Sequence, residues 1–331
     1  MVKLGVLGVG HLGNIHLKCL QGISTIEVVG FYDPDDKAAQ KVMEQYEIIR
    51  FESYEELLQQ CDAIDIVTPT SSHYELAAQA IQANKHVFIE KPLAATLEEA
   101  ASLVQLAQQQ GVKAQIGHVE RFNPAFLAIQ DISLQPLFIE AHRLSMFNPR
   151  GTDVSVVLDL MIHDLDLVLT MVAAPLKSLS ASGVAVISKS LDIANVRLEF
   201  ENGCVANLTA SRISMKQMRK IRLFQKDAYL SVDLLEKKSQ VIQLFNQPLD
   251  GAKVSASLSL QTEEGPKYIS VQSPPIPDTN AIQMELATFA DSILKDTTPI
   301  VTIQDGYRCL ELAHRIMNEI EERTLRHSLS L

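Results

Sequence analysis

A short β-rich run at residues 3–7 leads straight into Gly8-Val9-Gly10-His11-Leu12-Gly13, and a helical pattern follows over about residues 12–21. Strand, glycine turn and helix in that order restrict this chain more than any other feature. The first glycine permits a tight turn, the second lets backbone approach a bound group, and the third lets the helix pack close to the strand. The open N–H groups at the start of such a helix favour an anion. The rhythm then repeats. Strands are expected at 26–32, 62–68, 86–89 and 113–116, and helices at 35–46, 55–60 (capped by Ser53, with Glu56 placed for a capping box), 73–83 and 96–110, the last stopped by Gly111. Short apolar strands alternating with helices predict an α/β fold with a parallel, Rossmann-type sheet. On the first helix, Ile15, Cys19 and Leu20 are the expected packing positions.

After about residue 122 the pattern changes. A strand is expected at 137–146 and a strongly apolar helix at 154–172. In 195–200, Val196, Leu198 and Phe200 alternate with Asn195, Arg197 and Glu199, which predicts a sheet with one wet face. Glu201-Asn202-Gly203 is a hairpin signal into 204–213. Strands at 218–225 and 229–234, a proline-rich connector at 273–278 and helices at 281–295 and 305–321 complete the chain. A length of 331 residues suits two domains, since single cores stop growing near ~250–300 residues. The expected division is a dinucleotide-binding domain over 1–121 and a substrate and oligomerisation domain over 122–331, α+β with an open, mostly antiparallel sheet.

Asp33 follows the second strand, about 20 residues beyond Gly13, where a carboxylate can accept bonds from a ribose 2′-hydroxyl. It would repel a 2′-phosphate. Pro34, Asp35 and Asp36 follow with no arginine, and Lys37 is the nearest cation, so NAD is expected in preference to NADP. The context of the glycine turn leaves little room for a plain βα turn with a surface aspartate.

Two further elements can carry chemistry. Glu90-Lys91-Pro92 stands at the carboxyl end of a parallel strand, where ligand crevices form, and an ammonium there can stabilise a developing alkoxide. The plainer reading is a surface lysine paired with Glu90. Asp159 and His163, four residues apart, share a face of an α-helix, and the carboxylate would orient and raise the basicity of the imidazole. A satisfied structural histidine is the alternative. Four scattered cysteines (Cys19, Cys61, Cys204, Cys309) form no metal or dithiol spacing, so no metal site is expected. A net charge of −11 argues against a nucleic-acid or anionic-membrane partner, and no apolar run approaches the ~20 residues of a membrane span. The start of the chain carries no secretory pattern, so a cytoplasmic protein is expected.

The glycine turn, Glu90-Lys91-Pro92 and Asp159-x-x-x-His163 together resemble the glucose–fructose oxidoreductase/inositol dehydrogenase (Gfo/Idh/MocA) family over nearly the whole chain. The resemblance implies a lysine role for Lys91, an acid/base role for His163, a supporting carboxylate in Asp159 and a cis peptide between Lys91 and Pro92. It implies cofactor contacts from Gly8, Gly10, His11, Leu12, Gly13, Asp33, Thr68, Pro69, Thr70, His73, Glu90 and Lys91. One position departs: many members carry glycine two residues before the histidine, where this chain has Met161. The stretch Gly117-His118-Val119-Glu120-Arg121-Phe122-Asn123-Pro124-Ala125 resembles the branch acting on nucleotide sugars. Arg121 and Asn123, with Arg143 and Arg150 from the second domain, are therefore the expected substrate ligands, the arginines suiting a diphosphate. The cluster Lys216, Arg219, Lys220 and Arg222 reads instead as a solvated strand face. The expected activity is NAD-dependent oxidation of a sugar ring hydroxyl by a homodimer or homotetramer. A polyol dehydrogenase, an NAD-assisted glycoside hydrolase and a non-catalytic dinucleotide sensor remain alternatives.

Overall fold

The computed structural model describes residues 1–148, 154–247, 256–262 and 265–328. Their contacts cluster into two units, Met1–Phe122 with Thr279–Glu311, and Asn123–Asp278 with Leu312–Leu331.

The first unit runs β1 (Val2–Leu7), α1 (His11–Leu20), β2 (Ile26–Tyr32), α2 (Asp36–Tyr46), α3 (Tyr54–Gln60), β3 (Ala63–Ile66), α4 (His73–Gln82), β4 (His86–Glu90), α5 (Leu97–Gln110) and β5 (Ala114–Gly117). The strands lie in the order β2-β1-β3-β4-β5 and every pair is parallel. Local chemistry sets the boundaries. Ser53 Oγ accepts the Glu56 N–H, Thr96 and Glu99 cap α5 reciprocally, and Gly111 ends it at φ 66°. All four residues of β3 are buried, which is why this strand reads as continuously apolar apart from Asp65. On α1 the expected packing set needs amending: Gly13, His16, Leu17, Cys19 and Leu20 are buried, whereas Ile15 is only partly so.

The expected division at residue 121/122 put both terminal helices in the second domain. Instead Thr279–Glu311 clusters with the parallel sheet, and Leu286, Phe289 and Ala290 of α8 (Ala281–Leu294) share a core with Leu4, Leu17 and Phe88. The reason is compositional. Both helices are amphipathic, and amphipathicity says that a face is buried without saying against which sheet.

The second unit holds α6 (Pro124–Leu127), β6 (Phe138–Leu144), α7 (Ile162–Met171), β7 (Leu176–Val184), β8 (Ile193–Phe200), β9 (Val205–Ser211), β10 (Met218–Phe224), β11 (Ala228–Asp233), β12 (Lys238–Phe245), β13 (Ala256–Thr262) and β14 (Gly265–Gln272). It also takes the end of α9 (Ile303–Ser328), whose Arg323 Nη1 donates to the Ala181 carbonyl at 3.1 Å. Among the described residues the sheet has nine strands in the order β13-β14-β12-β11-β10-β6-β9-β8-β7, antiparallel except where β6 meets β9. Four of these strands, β7, β12, β13 and β14, are not evident in the sequence, because their runs mix small and polar residues with no clear alternation. Val196, Leu198 and Phe200 are at most 2% exposed within the single chain, so this face is inward and contributes about 1.5–3 kcal/mol per side chain. Asn195 and Arg197 mark the outward face. The expected helix over 154–172 is not uniform: Val157–Met161 is π-helical before α7 begins.

Candidate active site

The chain reverses direction across the parallel sheet between β1 and β3, and the carboxyl ends of those strands are where doubly wound sheets form their ligand crevice. Gly8 leaves β1 at φ +86°, in the left-handed region. A Cβ on Gly13 would lie 2.0 Å from the Gly8 carbonyl oxygen, so only glycine lets α1 approach the turn. A Cβ on Gly10 would meet nothing within 4 Å, which leaves an open approach to its backbone. No side chain caps α1, and its first two residues, His11 and Leu12, are exposed. The cradle therefore fits a pyrophosphate. Asp33, 8% exposed at the tip of β2, is held against the turn: Oδ2 accepts the Val9 N–H at 2.7 Å and Oδ1 the Asp35 N–H at 2.8 Å. Each oxygen keeps a second lone pair. The expectation that no arginine stands near this carboxylate is corrected by Arg50: its Nη2 donates to the Asp33 carbonyl at 2.9 Å and pairs with Asp36 at 2.8 Å. Nothing in linear spacing points to Arg50. The fold places it through a bridge to Phe31.

At the end of β4, the Lys91–Pro92 peptide is cis, as the resemblance implies. Lys91 is half-buried. His73 has no nitrogen to spare for a cofactor: Nδ1 lies 2.9 Å from the Pro92 carbonyl and Nε2 2.9 Å from the Thr68 carbonyl. It ties the Lys91–Pro92 turn to the end of β3, and burial pushes its imidazole pKa below the usual value. Thr68 accepts a hydrogen bond from Ser72 at 2.8 Å, in the turn Thr70–Ser72 that follows Pro69. The Glu90 carboxylate, expected at the cofactor, turns inward instead. Its Oε2 accepts the Lys91 N–H at 3.1 Å, and its Oε1 sits 3.2 Å from His16 Nε2. His16 Nδ1 is 2.9 Å from Asp65 Oδ2, so both imidazole nitrogens face carboxylates. Sequence reasoning missed His16, Asp65 and Glu285, a group of buried ionisable side chains. A histidine one turn past Gly13, on the face that packs against the sheet, was the available signal.

In the second unit the π-helical turn changes the geometry read from spacing. A π-helix bonds i→i+5; Asp159 lies in that turn, and His163 follows it as the second residue of α7. Asp159 is 41% exposed at its side chain and has Arg212 Nη2 at 4.0 Å. His163 is half-buried at the start of α7.

The expected substrate ligands are mostly engaged within the fold. Arg143 is 3% exposed, and its guanidinium grips Asp164 through both Nε (3.0 Å) and Nη2 (2.8 Å). Asn123 caps α6 through Oδ1 and donates from Nδ2 to the Leu234 carbonyl at 3.0 Å. Arg121 Nη1 lies 3.4 Å from Asp305 Oδ2 and from the Ile300 carbonyl. The Arg143 guanidinium and the Asn123 amide, expected at the substrate, thus meet partners inside the fold. Spacing cannot distinguish an arginine waiting for phosphate from one that already has a carboxylate. Arg150 lies outside the described residues. All four cysteines are buried with none in a disulfide, and burial pushes the Cys61 and Cys204 thiols up to about 12 and about 11.

A glycine cradle at the switch point, an aspartate at the tip of β2 and a lysine at the carboxyl end of β4 define the site of a dinucleotide-binding oxidoreductase. Residues 2–118 match the oxidoreductase family model described as an NAD-binding Rossmann fold, and residues 135–230 match the Gfo/Idh/MocA C-terminal domain. The chain is 40% identical over 235 residues to a UDP-N-acetylglucosamine 3-dehydrogenase of Acidithiobacillus ferrooxidans, covering 71% of this chain and 74% of that protein. It is 26% identical over 330 residues to the scyllo-inositol 2-dehydrogenase (NAD(+)) of Bacillus subtilis, covering 94% and 92%. The solved structure of the Acidithiobacillus ferrooxidans enzyme superposes with a TM-score of 0.86 at 32% identity, over 97% of this chain and 98% of that one. This protein belongs to the Gfo/Idh/MocA oxidoreductase family, and NAD is its cofactor.

Proposed function

We propose that this protein oxidises a ring hydroxyl of a nucleotide-linked N-acetylated sugar, with NAD preferred to NADP. The observation that carries the substrate class is the 40% identity to a UDP-N-acetylglucosamine 3-dehydrogenase over 71% of the chain. The preference for NAD rests on Asp33, whose carboxylate the Val9 and Asp35 N–H groups hold in place at the end of β2. When bound, the nicotinamide supplies the acceptor for the two electrons and hydrogen that leave the substrate carbon.

The residue roles follow from chemistry and from the family. Lys91, at the carboxyl end of β4, hydrogen-bonds the substrate hydroxyl and stabilises the negative charge that grows on its oxygen. His163 takes the hydroxyl proton, so it must be neutral at the start of the oxidative direction. Asp159 supports it, in company with Arg212. Gly8, Gly10 and Gly13, with the open start of α1 at His11 and Leu12, hold the pyrophosphate. Arg150 remains the proposed diphosphate ligand from the second unit.

Among the described residues no helix is long and apolar enough to cross a membrane. Four reduced thiols suit a cytoplasmic setting. The outward face of the nine-stranded sheet, where Glu140 pairs with Arg222 at 2.8 Å beside Asn195 and Arg197, is the proposed surface of a homodimer or homotetramer.

The test is production of NADH, followed by absorbance, with UDP-N-acetylglucosamine and with free inositol or glucose. Turnover confined to the nucleotide sugar supports the reading. Full turnover with free inositol and none with nucleotide sugars replaces it with the polyol reading, which the inositol dehydrogenase match over 94% of the chain favours next.

A further inference from the structure

Four ionisable side chains of the first unit meet inside it. His16, Asp65 and Glu285 are 0% exposed and Glu90 is 7% exposed. Charges taken out of water are costly unless they neutralise one another, so the protonation pattern follows from the contacts. Burial alone would keep His16 neutral, but Asp65 Oδ2 at 2.9 Å and Glu90 Oε1 at 3.2 Å raise its pKa well above an ordinary histidine's. Neither oxygen of the Glu285 carboxyl has a hydrogen-bond partner, and burial together with Glu90 pushes its pKa well up, so it is held neutral. The arrangement is thus an imidazole between the side chains of Asp65, whose pKa burial raises, and Glu90, with the Glu285 carboxyl beside them. The Phe88 ring stands edge-on to the imidazole at 5.8 Å. Of the outer groups, Cys19 couples to His16 on the same helix, and Glu120 couples to Glu285.

We propose that His16 is a positioning residue: clamped between Asp65 and Glu90, it holds the Glu90 carboxylate on the Lys91 backbone N–H and so fixes the strand end that presents Lys91. Glu90 Oε2 accepts that N–H at 3.1 Å, while Oε1 lies 3.2 Å from His16 Nε2, an ion-pair contact outside hydrogen-bond geometry. Gly117 on β5 supplies the space: a Cβ there would stand 2.8 Å from Glu90 Oε1. His16 thus acts on Lys91 through Glu90, from the helix that also carries the glycine turn. This inference rests on the reading of Lys91 as the group that polarises the substrate hydroxyl.

The experiment compares full-length wild type, Lys91→Ala, His16→Gln, Gly117→Ala and His16→Gln/Glu90→Gln by steady-state kinetics, with NAD affinity measured separately. A misplacement of about 1 Å in a reacting group costs on the order of a hundredfold. His16→Gln and Gly117→Ala are expected to lower kcat by roughly ten- to a hundredfold on that basis, with substrate KM changed by only a few fold. The double variant, which removes one of the two acidic side chains left without the imidazole, should recover part of kcat. In parallel, ¹⁵N-histidine NMR of the wild type should show both His16 ring nitrogens protonated at pH 8. Retained activity in Lys91→Ala removes the Lys91 reading itself. An inactive Lys91→Ala alongside wild-type kcat in His16→Gln and Gly117→Ala overturns the present inference alone. A His16 that titrates as an ordinary histidine overturns it too, and so does one equivalent of zinc in the purified protein, because the metal would take Nε2 from Glu90. Should His16→Gln fail to fold, Gly117→Ala and the NMR titration decide.

Discussion

Arg143 divides a structural reading from a substrate-binding one most sharply. In the structure its guanidinium and the Asp164 carboxylate are 3% and 4% exposed and joined by two hydrogen bonds, of 3.0 and 2.8 Å. Arg143→Ala leaves that carboxylate buried without its fork, a loss of about 3–5 kcal/mol. At roughly 2–4 °C per kcal/mol for a unit of this size, the melting temperature should fall by about 6–20 °C. Replacing both partners with apolar residues of similar volume, as Arg143→Met/Asp164→Leu, should recover most of the loss, since a buried pair is often no better than good packing. Calorimetry on the two variants, with nucleotide-sugar KM measured on whatever remains folded, checks this. An unaltered melting temperature in Arg143→Ala, with KM raised tenfold or more, would refute the structural reading and restore Arg143 as a phosphate ligand.

Asp33→Ala should narrow the ratio of NADP to NAD dissociation constants, with Arg50 then able to meet a 2′-phosphate; adding Arg50→Ala should reverse the gain in NADP affinity, and equal constants in the wild type would sink the idea. Gly13→Ala should weaken NAD binding at least tenfold, because its Cβ would stand 2.0 Å from the Gly8 carbonyl and the turn must shift; titration calorimetry reads this directly. Lys91→Ala should lower kcat/KM by ~10²–10³ with NAD affinity within a few fold, the loss typical of one donor at a developing oxyanion. His16 also predicts a pH dependence: its folded pKa is raised, so its stabilisation is complete below the unfolded value near 6.5 and is lost as pH rises through the folded one. Melting temperature should therefore fall more steeply on the alkaline side in wild type than in His16→Gln, and parallel curves would show that His16 carries no such charge.

The parallel sheet, the glycine turn, Asp33 and the Lys91 strand end were all legible in the sequence. Each depends on a period of two or 3.6 residues or on backbone constraints within a few positions, and such information is local. The strand Ile26–Tyr32 and the stop of α5 at Gly111 came out as the pattern required. What tertiary structure alone decided was the destination of side chains that have more than one possible partner. Arg143 could have met a phosphate or a carboxylate, and only the packing of β6 against α7 selects Asp164. Asp159 and His163 share an α-helical face on paper, but Asp159 lies in a π-helical turn. Terminal helix α8 joined the parallel sheet because an amphipathic face carries no address. His16, Asp65, Glu90 and Glu285 are 16, 65, 90 and 285 residues into the chain, and no window of sequence contains them together. Their charges are set by a meeting that only the folded core arranges, where the loss of water makes each one's protonation depend on the others.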